Sequence, residues 1–338
     1  MKKIQPTEYM YASARIRALE NRMVGRERLE RLVEARSSEE VMDRLAEYGL
    51  SPAESADGSL GVEDVGVIRD GMLTSALRRA YDEVETSVPD PAVFRYFRYP
   101  YDCNNLKAAV KCAVRGIPAG DMLFDFGTVP ADKVESLLRE GKLNAFPPAM
   151  AAAVSTAREA FDKTGDPRRI DVILDRACYE DMLAAVKDDT LLGWLRAKID
   201  LTNILTTLRI LRMNRGGVGA DFLAEALLRG GTLSPEFFTR LYDEGEESFW
   251  SALRRTPYER LVRTEENQRM LSLVECAADD LYMELVRKDA RTPFGAAVIG
   301  GYLVGWEVSV KNIRIVLAAK DAKLSTVVIR ERIRMSYV

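Results

Sequence analysis

The chain has 338 residues, of which 47% are apolar and 30% charged, and its formal net charge at pH 7 is −3. This length predicts two or three domains, and the balanced charges exclude a global basic field that would attract nucleic acid or anionic lipid. Histidine is absent, which excludes His-assisted nucleophilic triads and His metal ligands and makes an enzyme less expected. We therefore predict no cofactor, no metal and no nucleic-acid partner.

The cysteines are scattered and form no CxxC pair, which argues against a zinc site or a redox motif. Free thiols and the lack of a signal sequence favour the reducing cytoplasm. The four positions are Cys103, Cys112, Cys178 and Cys276.

Helical spacing dominates the N-terminal part of the chain. The stretch "ERLERLVEA" places its apolar residues on one helical stripe. In "SSEEVMDRLAEYGL", Ser37 or Ser38 is a suitable N-cap and Gly49 a suitable stop. Only "GVEDVGVIRD", residues 61–70, has a weak strand pattern.

The same helix signals continue further along the chain. "TVPADKVESLLREG" begins with Pro130 and ends at Gly141, and "LSPEFFTRLYDEG" begins with the pair Ser234 and Pro235. The fold is therefore predicted to be all-α.

Two C-terminal segments have their own predictions. The uncharged run at 292–306 is shorter than the ~20 residues that span a bilayer and contains Pro293, so we predict no membrane span. Close helix packing explains this apolar run better than docking to a partner does. The final "IRERIRMSYV" has the pattern of an amphipathic helix with outward arginines.

An Asn followed by Leu or Ile recurs in three helical segments, at Asn105, Asn203 and Asn312. Asp102 and Asp200 lie three residues before the first two, on the same helical face. A buried amide without a partner costs about 1–3 kcal/mol. We therefore predict that these side chains bond to neighbouring helix backbone and fix the packing of the domains.

The segments after the first two Asn residues continue in parallel, through a Gly-containing break, an apolar helix, a Gly-Thr-[Val/Leu] word and a capped helix. The third copy matches only the first half of this unit, and the N-terminal stretch matches the second half. A period of roughly 100 residues predicts three similar tandem helical domains, closed into a pseudo-threefold funnel by the C-terminal helix meeting the N-terminal domain. The predicted segments are residues 1–100, 101–198 and 199–306 for the domains and 307–338 for the C-terminal helices that complete the ring.

Four blocks of the sequence carry a family resemblance. They are "YMYASARIRALENRM", "YDCNNLKAAVKCAVRG", "IDLTNILTTLRILR" with "GGTLSPEFF", and the closing "PFGAAVIGGYLVGWEVSVKNIRIVLAAKDAKLSTVVIRERIRMSYV". In this order they resemble the C subunit of the archaeal and bacterial V/A-type ATP synthases, the counterpart of the d subunit of vacuolar ATPases. The N-terminal copy departs from the pattern, because it has "ARIRALENR" in place of the Asn word.

The resemblance implies a funnel of three similar helical domains, peripheral to a membrane complex on its cytoplasmic face. This funnel would sit on the proteolipid rotor ring and receive the D and F subunits of the central stalk. The implied role is that of a non-catalytic rotor adaptor that couples ATP turnover to proton or sodium transport.

Basic residues close to the repeated words are the candidate contacts with the stalk or the ring, although an exposed helical cation is most often only solvated. These candidates are Arg15, Arg17, Lys107, Lys111, Arg209 and Arg314. The Asp and Asn residues of the repeat are candidates for packing rather than for stalk contact, because Asn is depleted in helix interiors unless it has a partner.

Two other functions are compatible with an all-α chain. "DDLYME", with Asp279, Asp280 and Glu284, is faintly similar to the magnesium motif of isoprenoid synthases, but Met283 stands where DDxxD has its last Asp. "KDDTLL", with Asp188, fails in the same way. A free-standing helical scaffold fits the helices but does not explain the long period.

Overall fold

The computed structural model describes residues 4–51, 65–213, 219–262 and 270–338. Every regular element in these ranges is helical, which confirms the all-α prediction. The α-helices are α1 (Met10–Glu20), α2 (Arg26–Glu34), α3 (Ser38–Glu47), α4 (Val65–Ser87), α5 (Tyr99–Arg115), α6 (Ala131–Glu140), α7 (Pro148–Thr164), α8 (Arg168–Ala185), α9 (Asp189–Met213), α10 (Ala220–Ala226), α11 (Pro235–Glu244), α12 (Glu246–Leu253), α13 (Leu271–Asp289), α14 (Ala296–Asp321) and α15 (Thr326–Arg332). Within the described ranges, no helix is long and apolar enough to cross a membrane.

Local capping explains where several helices begin and end. Ser37 Oγ accepts the Glu40 N–H at the start of α3, and Ser234 Oγ accepts the Phe237 N–H at the start of α11. Helix α6 ends at Gly141, whose φ of 68° lies in the left-handed region that glycine adopts without a Cβ penalty.

The weak strand prediction for residues 61–70 is wrong where the chain is described, because Val65 opens the 23-residue helix α4. The first four residues of that segment lie outside the described ranges. Farther along α4, Met72, Leu73, Ala76 and Leu77 are buried at helical spacing. This longer 3.6-residue period outweighs the short alternation that precedes it.

The chain divides into two compact units. Unit 1 combines Met1–Pro91 with Glu266–Val338, and unit 2 is Ala92–Glu265. The C-terminal helices therefore pack with the N-terminal helices in unit 1.

Helix α14 is the centre of unit 1 and packs against α1, α2, α3, α4, α13 and α15. Its first eleven residues, Ala296 to Trp306, are all buried, so the apolar run forms core inside this unit. Gly301 and Gly305 leave room for Tyr337, since a Cβ at either glycine would collide with that ring. The last residues can therefore approach α14 closely because Gly301 and Gly305 have no side chain.

The predicted C-terminal amphipathic helix is only partly correct. Helix α15 ends at Arg332, and residues 333–338 are not helical. Arg334 does not point outward as predicted: its side chain is 13% exposed and pairs with Asp279 at 3.0 Å. Its backbone bonds to Asn312, and this tertiary contact replaces the helix that the local pattern favours.

Unit 2 is built around α5, α8 and α9. Helix α8 packs on α5 and α7, and α9 packs on α8, α10 and α11. Leu106 of α5, Ile170 of α8 and Trp194 of α9 are fully buried in its core.

The boundaries predicted at 198/199 and 306/307 fall inside α9 and α14, which are continuous helices. The division into three domains and the funnel stay predictions.

Candidate functional site

The repeated Asn of α5 binds the backbone of a single residue farther along the chain. Asn105 Nδ2 donates to the Phe124 carbonyl oxygen, and Asn105 Oδ1 accepts the Phe124 N–H, both at 2.8 Å. This pair of bonds, here named the Asn clamp, satisfies a buried amide and two backbone groups of a non-helical segment.

The same clamp occurs on the two other Asn helices. Asn203 of α9 bonds to the carbonyl oxygen and the N–H of Leu228 at 2.9 and 2.8 Å. Asn312 of α14 bonds to the same two groups of Arg334 at 2.9 and 2.7 Å. The three words that the sequence repeats therefore have the same bonding pattern, twice in unit 2 and once in unit 1.

Asp102 lies one helical turn before its Asn and binds the Gly-Thr word. Its Oδ1 accepts the N–H groups of Thr128 and Val129, at 2.8 and 3.1 Å, and its Oδ2 accepts the Thr128 hydroxyl at 2.7 Å. A Cβ on Gly127 would collide with Asp102 Oδ1, which explains the glycine of this word.

Asp200 binds the second Gly-Thr word in the same manner. Its carboxylate accepts the N–H and the hydroxyl of Thr232, the Leu233 N–H and the Tyr258 hydroxyl. A Cβ on Gly231 would collide with Asp200 Oδ1. Burial and the Asp200 charge both raise the pKa of Tyr258, so its hydroxyl stays protonated and donates.

These partners were not predicted from the sequence, although the Gly-Thr motif that both segments share is a signal for them. The third copy differs, because Ser309 stands three residues before Asn312 and donates to the Gly305 carbonyl oxygen at 2.8 Å. The third copy therefore has no carboxylate at the position that corresponds to Asp102 and Asp200.

The predicted interface cations of α5 are paired with α8. Lys107 pairs with Asp175, and Lys111 pairs with Asp171 at 2.5 Å. Burial lowers the pKa of Lys107, but the neighbouring Cys103 and Asp175 more than compensate, so the net shift is upward. These two lysines join helices within unit 2.

The predicted cations of unit 1 also have carboxylate partners. Arg15 pairs with Glu83 at 2.6 Å, and Arg314 pairs with Asp70 at 3.0 Å. Their side chains keep 44% and 46% exposure, so both remain accessible to a partner.

Arg17 and Arg209 have different surroundings. Arg17 pairs with Glu20 and donates to the carbonyl oxygens of Ala290 and Thr292, which links α1 to the segment before α14. Arg209 is exposed on α9 and lines a cavity in unit 2.

The carboxylates of "DDLYME" have structural partners. Asp279 pairs with Lys311 and Arg334, and Asp280 accepts the Met335 N–H at 2.6 Å. Burial raises the pKa of Asp280. Among the described residues, no group of three or more Cys, Asp or Glu side chains is arranged to hold a metal ion.

Comparisons with known proteins agree on one family. The family model of the ATP synthase (C/AC39) subunit matches residues 12–332. The C subunit of the A-type ATP synthase of Thermococcus kodakarensis is 25% identical, and the match covers 96% of this chain and 90% of the relative. The relative of the same name from Methanocaldococcus jannaschii is 24% identical, with coverage of 95% and 85%.

A relative from a sodium ATPase matches a shorter region. The C subunit of the V-type sodium ATPase of Enterococcus hirae is 22% identical over 270 residues, which cover 78% of this chain and 81% of the relative. The family match spans nearly the whole chain. It includes every residue of the three Asn clamps except Arg334, which lies just beyond its end. The chain therefore belongs to the ATP synthase (C/AC39) subunit family.

Proposed function

We propose that this chain is a non-catalytic rotor adaptor of a V/A-type ATP synthase or ATPase. It sits on the proteolipid ring at the cytoplasmic face of the membrane, as a peripheral part of the complex, and receives the D and F subunits of the central stalk. Rotation passes through it, so that ATP turnover is coupled to proton or sodium transport. The family match over residues 12–332 carries this proposal.

The recurrence of the Asn clamp supports the three similar helical domains that we propose for this role. In unit 2, the helices α6 and α11 begin seven residues after the clamped Phe124 and Leu228. In unit 1, the chain reaches Val338 four residues after the clamped Arg334, and the Arg26 N–H that opens α2 donates to the Val338 carbonyl oxygen at 3.1 Å. This bond supports the proposal that α2 is the counterpart of α6 and α11 in a third copy assembled from both ends of the chain.

The surface chemistry supports binding of other subunits through exposed cations. Arg15 and Arg314 are accessible in unit 1, and Arg209 is accessible in unit 2. Lys107, Lys111 and Arg17 instead hold neighbouring elements together. We therefore rank Arg15, Arg209 and Arg314 first among the candidate contacts.

A pull-down of the purified chain with a purified D–F pair tests the proposal. We expect a stable complex at micromolar concentration, weakened by Arg314→Glu or Arg15→Glu. Arg240→Glu is the matched control, because Arg240 is 66% exposed and outside the candidate set. A folded sample that does not bind D–F at this concentration would contradict the adaptor role.

A further inference from the structure

Unit 2 contains a cavity of about 370 Å³ between α8, α9 and α10. Protein interiors are close-packed, and pockets that bind small-molecule ligands measure roughly 300–1,000 Å³. The lining residues of α8 and α9 are Arg168, Val172, Asp175, Tyr179, Thr202, Thr206, Arg209, Ile210 and Met213. The side facing them is formed by Phe222, Ala226 and Leu228. This space is large enough for at least one large side chain of another molecule.

The residue types of the lining are those of a protein interface. Arg, Tyr, Phe and Met are enriched at interfaces, and Arg and Tyr supply many of the strongest contacts. Arg168 lies over the Phe222 ring, 5.2 Å from the centroid to the guanidinium carbon, and keeps 54% exposure. Met213, also in the lining, is 71% exposed, and its thioether adapts to partners of varied shape.

The charge of the lining favours an acidic occupant. Arg168 and Arg209 bring two guanidinium groups to the lining, and its one carboxylate, Asp175, is paired with Lys107. Arg209 also interacts within the chain, but a guanidinium group has five N–H donors and can bind a further carboxylate. Arg168 also pairs with Asp166 at 2.8 Å, but this exposed pair leaves other N–H donors for a second carboxylate. Guanidinium groups beside this cavity suit a partner in which a carboxylate lies next to an apolar side chain.

We propose that this cavity docks an acidic segment of another subunit of the complex. One large apolar side chain of that segment fills the chamber, and a nearby Asp or Glu pairs with Arg209 or Arg168. The inference rests on the proposed function, because it requires the chain to work inside a multi-subunit assembly.

Site-specific crosslinking in the assembled complex tests this proposal directly. The photoreactive residue p-benzoylphenylalanine replaces Met213, and mass spectrometry identifies the crosslinked peptide. We expect a peptide of another subunit with Asp or Glu within a few residues of the crosslink. The same replacement at Phe124, which is 48% exposed and outside the cavity, should not capture that peptide. Capture of a basic segment, of this chain itself, or of nothing would overturn the proposal.

Two variants separate this inference from the proposed function. Thr206→Phe fills the chamber, and Arg209→Glu reverses its charge; each should lower retention of the chain in the complex at least tenfold at about 0.15 M salt. Arg240→Glu should leave retention unchanged. Full retention of both variants would overturn the docking proposal and leave the adaptor role intact. Failure of the wild-type chain to join the complex would overturn both.

Discussion

Asn312 and Arg334 share two hydrogen bonds, one in each direction between the side-chain amide and the backbone, at 2.9 and 2.7 Å. They tie the non-helical final residues of the chain to the central helix of unit 1. The pairs Asn105–Phe124 and Asn203–Leu228 repeat this relationship in unit 2. An Asn side chain thus makes the same pair of backbone hydrogen bonds at three positions separated by roughly 100 residues.

We expect Asn203→Leu to lower the free energy of unfolding by about 2–4 kcal/mol, because the buried N–H and carbonyl groups of Leu228 lose their partner. Asn312→Leu should cost less, because the bonds to Arg334 are only partly buried and water can replace them. Urea titration measures both values. Asn104→Ala, at an exposed neighbour of Asn105, is the control and should stay within about 0.5 kcal/mol. An equal cost for Asn203 and Asn312 would contradict the role of burial.

The two aspartates should respond differently to replacement by Asn. In Asp102, one oxygen accepts both backbone N–H groups and the other meets only the Thr128 hydroxyl, which can turn to accept from an amide. In Asp200, each carboxylate oxygen accepts a backbone N–H. In Asp200→Asn, the amide NH₂ group would therefore face an N–H donor in either orientation of the side chain. We therefore expect Asp102→Asn to cost under about 1 kcal/mol and Asp200→Asn at least about 2 kcal/mol.

Thermal and urea unfolding of the two Asn variants measure this difference. Asp200→Ala and Asp102→Ala serve as references in which every acceptor is lost. If Asp102→Asn proved as harmful as Asp102→Ala, the proposed turn of the Thr128 hydroxyl would be wrong.

Helix capping could be predicted from sequence because its partners are close neighbours. Ser37 and Ser234 bond to N–H groups three residues away, so the local pattern contains the whole interaction. The Asn repeat was visible for a different reason, since a buried amide demands a partner even when that partner is unknown.

The partners themselves could not be predicted, because they depend on how distant segments pack. Tyr258 lies 58 residues from Asp200, and the Gly-Thr word was seen only as a repeated pattern. The same limit explains the C-terminal error: residues 333–338 have a helical pattern, but Asn312 and Asp280 bind the backbone of Arg334 and Met335. Tertiary bonds overrode local propensity there.

The glycine of the first Gly-Thr word should be intolerant of a side chain. Gly127→Ala sets a Cβ against the Asp102 carboxylate, so we expect a loss of about 2–3 kcal/mol in unfolding free energy. Gly193→Ala is the matched control, because a Cβ there meets no atom within 4 Å and Ala favours the helix by up to about 1 kcal/mol. Differential scanning calorimetry should give opposite shifts in melting temperature. A neutral Gly127→Ala variant would refute the close approach of Asp102.

The pH dependence of stability should reveal the buried Asp102. Burial raises the pKa of this carboxyl above its ordinary value of 3.8, and hydrogen bonds from Thr128 and Val129 only partly oppose the shift. The folded chain therefore keeps a proton at pH values where the unfolded chain has released it. The stability that Asp102 contributes is fully present below pH 3.8 and falls as the pH rises through the folded-state pKa.

Urea titrations of the wild-type chain and of Asp102→Asn from pH 4 to pH 7 measure this effect, because the other titrating groups cancel in the difference. We expect the wild-type chain to lose stability relative to the variant as the pH rises. Asp280→Asn should give a difference of the same sign, because burial also raises the pKa of Asp280. A wild-type advantage that grew with pH would mean that the donors around Asp102 outweigh its burial and lower its pKa instead.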